Sequence, residues 1–195
     1  MNYDKIKITA EQAENILLQE FNINGTAKEL PGEVDFNFRI KVQEENQFIL
    51  KISRPNENES YLDFQQKILQ QVESNGKDLL APKVIKNKKG KTISNITDDF
   101  GNERKVRLLT WISGRVWSSV NPQLNQLRYS LGEQCGRLTK ALEGFEHIEA
   151  KRNFEWDVAQ ALWTTKYIHL FDKEEKKYLN IFKINLKKNQ ILMKH

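Results

Sequence analysis

Residues 36–53, FNFRIKVQEENQFILKIS, decide the fold of this chain. Apolar side chains occupy every second position from Phe36 to Val42, which is the period of a strand with one buried face. Polar residues 44–46 then mark a turn, and residues 47–53 have the composition of a second strand. The stretch therefore predicts two consecutive strands joined by a short turn.

Lys51 is the only charged residue of the second strand, where its neighbours are Phe48, Ile49, Leu50 and Ile52. A lysine in such surroundings costs free energy unless its ammonium group reaches water or a fixed anion. Two interpretations are open. In one, the strand lies at the edge of a sheet and Lys51 points into solvent. In the other, Lys51 binds the α and β phosphates of a nucleotide, as the strand lysine of kinases does.

Patterns on both sides of this stretch predict a mixed lobe. Thr9 and Gln12 form a capping box at the start of a short helix that ends between residues 22 and 25. A second helix is predicted over residues 59–73, with an apolar stripe formed by Tyr61, Phe64, Ile68, Leu69 and Val72. Further strands are predicted at residues 27–30, 82–85, 92–96 and 105–111. The predicted fold class is α+β.

After Gly114 only helical patterns follow, at residues 124–142, 154–170 and 173–186. We therefore expect two domains: residues 1–113 as the mixed lobe and residues 114–195 as a helical lobe.

Composition narrows the class of protein. The net charge is +5, but the lysines concentrate in residues 86–91 and 183–195, without the interleaved aromatic residues of a stacking platform for nucleic acid. A solvated turn and tail is the prediction, and a nucleic-acid partner is not expected. No apolar run approaches the roughly 20 residues of a membrane span. The single cysteine, Cys135, fits a reducing compartment, so the predicted location is cytoplasmic.

Several segments, taken in order, resemble the aminoglycoside phosphotransferase family. They are ELPGEVDFNFRI at residues 29–40, FILKIS at 48–53, DFQ at 63–65, RKVRLLTWISGR at 104–115, LGEQCGRLTKALEGFEH at 131–147 and RNFEWDV at 152–158. Within the family, the chain is most similar to hydroxylysine kinase-like proteins and to the kinase domain fused to some class III aminotransferases. The resemblance covers roughly residues 10–170.

This resemblance implies a protein-kinase-like fold, with an antiparallel sheet and a helix in the N-lobe and an incomplete helical C-lobe. It also implies that ATP or GTP phosphorylates a hydroxyl group on a small metabolite such as hydroxylysine, with Mg²⁺ as the metal in intact relatives. The expected partners are a nucleotide and a small-molecule acceptor, and no membrane.

The resemblance assigns residues 31–38 to a loop that covers the nucleotide phosphates. The loop lacks a G-x-G-x-x-G motif, so backbone amides and Asn37 would contact the phosphates; a plain hairpin turn is the alternative. Glu33 and Asp35 would repel phosphate, and we interpret them as turn formers rather than contacts. Gln65, on the stripe of the second helix, is expected to orient Lys51, or else to be a buried glutamine bonded to backbone.

Leu109, Thr110 and Trp111 are expected to form the hinge whose backbone binds the adenine edge; the alternative is a core strand. The tripeptide Asp99-Phe100-Gly101 spells the metal-binding motif of protein kinases, but it precedes this hinge. Asp, Asn and Gly are favoured in tight turns, so we predict a turn there.

The family's H-x-D-x-x-x-x-N loop has no match, because none of His147, His169 and His195 is followed by the required aspartate. We therefore expect a chain truncated before the catalytic loop and inactive alone, with no catalytic and no metal-binding residues. An alternative is a non-catalytic interaction module derived from a kinase fold. Because a truncated helical lobe lacks part of its packing, we expect it to expose apolar faces bearing Leu162, Trp163 and Ile168 and so to favour self-association.

Overall fold

The structure, a computed structural model, describes residues 7–43, 46–152 and 157–192. The predicted turn at residues 44–45, part of the segment 152–158 and His195 lie outside the described residues. The helices are α1 (Ala10–Phe21), α2 (Glu59–Asn75), α3 (Asn125–Ala141) and α4 (Lys173–Leu192). The strands are β1 (Thr26–Leu30), β2 (Phe36–Val42), β3 (Asn46–Ile52), β4 (Val84–Ile85), β5 (Ser94–Thr97) and β6 (Glu103–Thr110).

Helix α1 begins and ends where the sequence predicts. The Thr9 side chain accepts a hydrogen bond from the Gln12 amide, and the Gln12 side chain accepts one from the Thr9 amide, so the capping box is complete. At the other end Asn22 adopts the left-handed conformation, with φ at 55°, and its amide bonds to the Leu18 carbonyl oxygen.

The six strands form one antiparallel sheet in which β3 lies between β2 and β6. The order along the sheet is β1-β2-β3-β6-β4, and β5 also pairs with β6. The edge-strand interpretation of Lys51 is therefore wrong, because β3 is hydrogen-bonded on both sides.

One face of this sheet carries the apolar core. Phe38, Leu50 and Leu108 are register partners on β2, β3 and β6, and all three are fully buried. Ala13 and Leu17 of α1 belong to the same cluster. Period-two alternation places the intervening residues on the opposite face, so the strands that build the core also build a second, polar surface.

Helix α2 lies over that second face, and the stripe that it turns inward is only partly the predicted one. Leu62, Gln66 and Val72 are its buried residues. Of the predicted stripe, Val72 is buried, whereas Tyr61, Phe64, Ile68 and Leu69 are half-buried. Gln66, fully buried, donates a hydrogen bond to the Thr92 carbonyl oxygen at 3.1 Å. The buried glutamine satisfied by backbone is thus Gln66, one position after Gln65.

The chain divides into two compact units, residues 1–147 and 148–195. The predicted lobe boundary at residues 113 and 114 stays a prediction. In the second unit, the described part of the helix predicted over residues 154–170 is a 3-10 helix, Val158–Leu170. Thr164 there donates to the carbonyl oxygen of Ala161, three residues back. β-Branched and aromatic side chains are frequent in this run and form α-helix less readily.

None of the described helices combines the length and the apolar character that a membrane span needs. In the second unit, the 3-10 helix Val158–Leu170 and α4 enclose an apolar groove of about 580 Å³. Trp163 and Phe182 line it and are 43% and 44% exposed. Leu162 and Ile168 line the same groove and are half-buried.

Candidate functional site

Lys51 lies on the polar face of the sheet, in line with residues from two other strands. Its register partners are Asn37 on β2 and Arg107 on β6. Its ammonium nitrogen donates to the Asn37 side-chain oxygen at 2.6 Å. The structure thus brings together two of the predicted site residues, Asn37 and Lys51, and adds Arg107 to them.

The segment between β1 and β2 is held tightly against Asn37. A side chain at Gly32 would collide with the amide nitrogen of Asn37 and with the Asp35 carbonyl oxygen. The same amide nitrogen donates to that carbonyl oxygen at 3.1 Å. Arg54, just after β3, donates to the carbonyl oxygens of Glu33 and Val34, the latter at 2.9 Å. Asn37 therefore holds Asp35, and Arg54 holds the two residues before it.

Asp35, interpreted from the sequence as a turn former rather than a phosphate contact, also forms an ion pair with Lys51. Its carboxylate oxygen Oδ2 lies 3.2 Å from the Lys51 ammonium nitrogen and 2.5 Å from Nη2 of Arg107. The Asp35 side chain is only 10% exposed. The sequence could not reveal this bridge, because the loop geometry that turns Asp35 inward leaves no periodic signal.

Gln65 does not orient Lys51. Its side-chain oxygen accepts a hydrogen bond of 2.6 Å from Nη1 of Arg107, so helix α2 holds the guanidinium group instead. Arg107 is 2% exposed, and burial lowers its pKa although Asp35 and other groups raise it in part. In the sequence, the one signal for this position of Arg107 is that it stands between two apolar residues, Val106 and Leu108, which places it on the opposite face of the strand from them.

Of the hinge residues on β6, Leu109 continues the same surface, whereas Thr110 lies on the core face of the sheet. Leu109 pairs with Ile49 one row along from Lys51 and lies on the same face. The amide of Thr110 donates to the Lys83 carbonyl oxygen at 2.9 Å. The amide of Trp111 donates to the Gln47 carbonyl oxygen at 3.0 Å. These two amides are thus already bonded within the sheet, and a ligand would have to break a hydrogen bond to reach them.

The tripeptide Asp99-Phe100-Gly101 lies in the hairpin between β5 and β6, as predicted. The preceding Asp98 accepts hydrogen bonds from the amides of Phe100 and Asn102 and an ion pair from Nε of Arg104 at 2.6 Å. Burial raises the pKa of Asp98, but the hydrogen bonds from Asn102, Arg104 and Phe100 together lower it below its ordinary value. The contacts of Asp98 therefore stabilise the turn between β5 and β6.

His147 is a packing residue. The His147 ring lies 5.3 Å from the Phe64 ring, between centroids, and its side chain is 10% exposed. Its Nε2 atom is 3.5 Å from the Asp63 carboxylate. Across the described ranges, no group of three or more His, Cys, Asp or Glu side chains could hold a metal ion.

Solved structures share this fold. An amicoumacin kinase, determined as a complex with AMP-PNP, Ca²⁺ and Ami, superposes with a TM-score of 0.68 at 14% identity, covering 97% of this chain and 56% of that chain. A microcompartment-associated aminopropanol kinase superposes with a TM-score of 0.59 at 16% identity, covering 82% and 49%. The predicted protein-kinase-like α+β fold is confirmed.

Sequence relatives agree with the resemblance. Hydroxylysine kinase of Mus musculus is 26% identical over 181 residues, covering 85% of this chain and 47% of the relative. Hydroxylysine kinase of Bos taurus is 27% identical over 179 residues, covering 84% and 47%. The chain thus spans about half the length of these curated relatives.

The family model described as "APH: Phosphotransferase enzyme family" matches residues 26–185. This range includes every strand of the sheet, the Lys51 row and the hinge. The chain therefore belongs to the APH phosphotransferase enzyme family.

Proposed function

We propose that this chain is the nucleotide-binding part of a small-molecule kinase that uses ATP or GTP to phosphorylate a hydroxyl group on a small metabolite. One observation carries the proposal: Lys51 lies in the centre of the sheet, on a polar face, with Asn37 and Arg107 beside it. A partly exposed ammonium group beside a buried guanidinium favours a polyanionic ligand. Hydroxylysine is the proposed acceptor, on the similarity to the two hydroxylysine kinases.

The contacts with the base come from residues on or next to the same face of the sheet as Lys51. Ile49 and Leu109 lie one row along from Lys51 and offer an apolar surface for a base. Because the amides of Thr110 and Trp111 are bonded within the sheet, we propose that amide donors for the adenine edge come from Ile112 and Ser113. Carbonyl groups of the hinge would supply the acceptors. Gln65 acts on the phosphate end indirectly, through Arg107.

We further propose that this chain alone binds nucleotide without transferring its phosphoryl group. Transfer to a hydroxyl needs an aspartate that accepts the proton and ligands for Mg²⁺. None of the three histidines of the sequence stands in the H-x-D pattern, and we assign no residue of this chain to the metal. Because the chain has a single cysteine and so no internal disulfide, we propose a cytoplasmic location.

Titration of the purified chain with ATP and GTP, with and without Mg²⁺, tests nucleotide binding. The matched pair is Lys51→Ala and Lys41→Ala, because Lys41 is an exposed lysine on β2 and the same face of the sheet. A hydrogen bond to a charged group contributes about 1.5–3 kcal/mol, so Lys51→Ala should weaken binding at least about tenfold. Lys41→Ala should bind as the wild type does. Equal binding by both variants, or none by the wild type at millimolar nucleotide, contradicts the proposal.

A second candidate function is self-association through the apolar groove of residues 158–186. The exposed side chains of Trp163, Phe171 and Phe182, each 43–44% exposed, favour it. Sedimentation equilibrium would then give a dimer for the wild type and a monomer for Phe182→Gln. Ile184→Gln is the control, since Ile184 lies on α4, is 52% exposed and does not line the groove. A monomeric wild type at high concentration excludes this function.

A further inference from the structure

Two positive side chains stand next to each other on neighbouring strands, and one carboxylate joins them. Lys51 and Arg107 are register partners. Oδ2 of Asp35 lies 3.2 Å from the Lys51 ammonium nitrogen and 2.5 Å from Nη2 of Arg107. A single oxygen atom thus serves both cations. This geometry, two donors converging on one anionic oxygen, is also the geometry by which lysine and arginine hold a phosphate oxygen.

This arrangement leaves one hydrogen-bond donor of the Arg107 guanidinium group without a partner in the part of the chain that the structure describes. Nη1 donates to Gln65 and Nη2 to Asp35, but Nε is buried and has no hydrogen-bond partner among the described residues. A buried guanidinium with an unsatisfied donor is costly, and a group with more acceptor oxygens than one carboxylate would satisfy it better. A phosphate supplies such oxygens together with more negative charge.

Asp35 differs from the other partners in where it lies. Gln65 is on helix α2 and Asn37 is on strand β2, whereas Asp35 is on the loop between β1 and β2. Asn37 and Arg54 hold the backbone of this loop, but the Asp35 side chain can change rotamer without breaking those backbone contacts. The carboxylate is therefore the member of the cluster that can leave while the two cations stay in position.

We propose that Arg107 is a second phosphate-binding cation beside Lys51, and that the Asp35 carboxylate occupies the position of a phosphate oxygen and must leave when the nucleotide binds. Asp35 then limits nucleotide affinity, because it neutralises one of two positive charges and repels the incoming phosphate. The inference rests on the proposed nucleotide-binding function.

The test compares Asp35→Asn with Glu11→Gln. Each change removes one negative charge, but Glu11 is exposed on α1, which packs against the other face of the sheet. The probes are ADP and inorganic tripolyphosphate, measured by calorimetric titration. The dissociation constant of both probes should fall about tenfold in Asp35→Asn and stay within about twofold of the wild type in Glu11→Gln. Arg107→Gln should weaken both probes about tenfold.

A purely structural role of Asp35 gives the opposite sign, namely unchanged or weaker binding by Asp35→Asn, and that result overturns the inference. The proposed function is judged separately, by the binding of the wild type against Lys51→Ala. If Asp35→Asn does not fold, a crystal structure of the wild-type chain with ADP decides the question. The inference expects a phosphate oxygen between Lys51 and Arg107. Retention of the Asp35 to Arg107 contact in that complex refutes it.

Discussion

The ammonium group of Lys51 donates a 2.6 Å hydrogen bond to the side-chain oxygen of Asn37, its partner on the adjacent strand. The amide nitrogen of the same Asn37 donates to the Asp35 carbonyl oxygen. Asn37 therefore connects the strand lysine to the loop between β1 and β2. Lysine orientation and loop position are coupled through one amide side chain.

Replacement of Asn37 by alanine removes both connections. We expect nucleotide affinity to fall about threefold to tenfold, because one hydrogen bond to a charged group is lost. Calorimetric titration with ADP measures the change, and Asn95→Ala, at an exposed position of β5, is the control. An Asn37→Ala chain that folds and binds ADP with unchanged affinity would show that this amide does not orient Lys51.

Gly32→Ala tests the tight approach of the loop. The added methyl group would collide with the Asn37 side chain and the Asp35 carbonyl oxygen, so the loop must shift. We expect a loss of about 1–3 kcal/mol in the free energy of unfolding, measured by urea titration, together with weaker nucleotide binding. Gly114→Ala should change neither quantity, since no atom lies within 4 Å of the added carbon.

Arg54→Gln tests the other attachment of the loop. The variant loses the guanidinium donors that hold the carbonyl oxygens of Glu33 and Val34. Hydrogen exchange of the amides of residues 32–36 should accelerate, because the loop is released, while the amides of β3 keep their protection. Lys28→Gln, an exposed change on β1, serves for comparison. Unaltered exchange in Arg54→Gln would mean that these contacts do not hold the loop.

Acid should weaken the β5–β6 hairpin through Asp98. The pKa of this carboxyl group is below its ordinary value of 3.8 in the folded chain, so the ionised form is favoured by folding. The ion pair with the buried Arg104 therefore stabilises the fold above about pH 4, and this contribution disappears as the pH falls through the lowered pKa. Asp98→Asn should cost about 2–4 kcal/mol at pH 7, because it leaves a buried charge without its counter-ion.

The pH dependence of this difference is the decisive measurement. Urea unfolding of the wild type and of Asp98→Asn should converge as the pH is lowered toward 2. A difference that persists at low pH would assign the loss to packing or to the turn rather than to the charge of Asp98. Asp99→Asn is the control, since Asp99 is the neighbouring carboxylate of the same turn and makes its hydrogen bond to Gln12.

The sequence was sufficient to predict most of the elements that carry the site. Helix α1 has its capping box at Thr9, and β2 has strict alternation from Phe36, both of which are local signals. Lys51 was noticeable because a charge in an apolar strand needs an explanation. Its partners were harder to predict. Asp35 reaches Lys51 through a loop conformation, and Arg107 reaches it through a strand register, and neither leaves a local pattern.

Other differences have the same origin. Leu62 and Gln66 are buried on α2 together with the predicted Val72, so that Gln66 and not Gln65 is the buried glutamine, because several overlapping stripes of the helix are partly apolar. Gln65 consequently meets Arg107 on β6 rather than Lys51 on β3. The apolar spacing of the run Val158–Leu170 fits an α-helix and a 3-10 helix equally well. The reason is that the numbers of residues per turn in these two helices differ by less than one.

The central position of β3 has a practical consequence. Asn37, Lys51 and Arg107 meet only if β2, β3 and β6 pair without an error of a single residue, because a slip of one position would turn Lys51 into the apolar face. Affinity chromatography on immobilised nucleotide would then separate correctly paired chains from chains with a register error. Chains with a register error between these strands would pass through the column, and only chains with the correct register of β2, β3 and β6 would be retained.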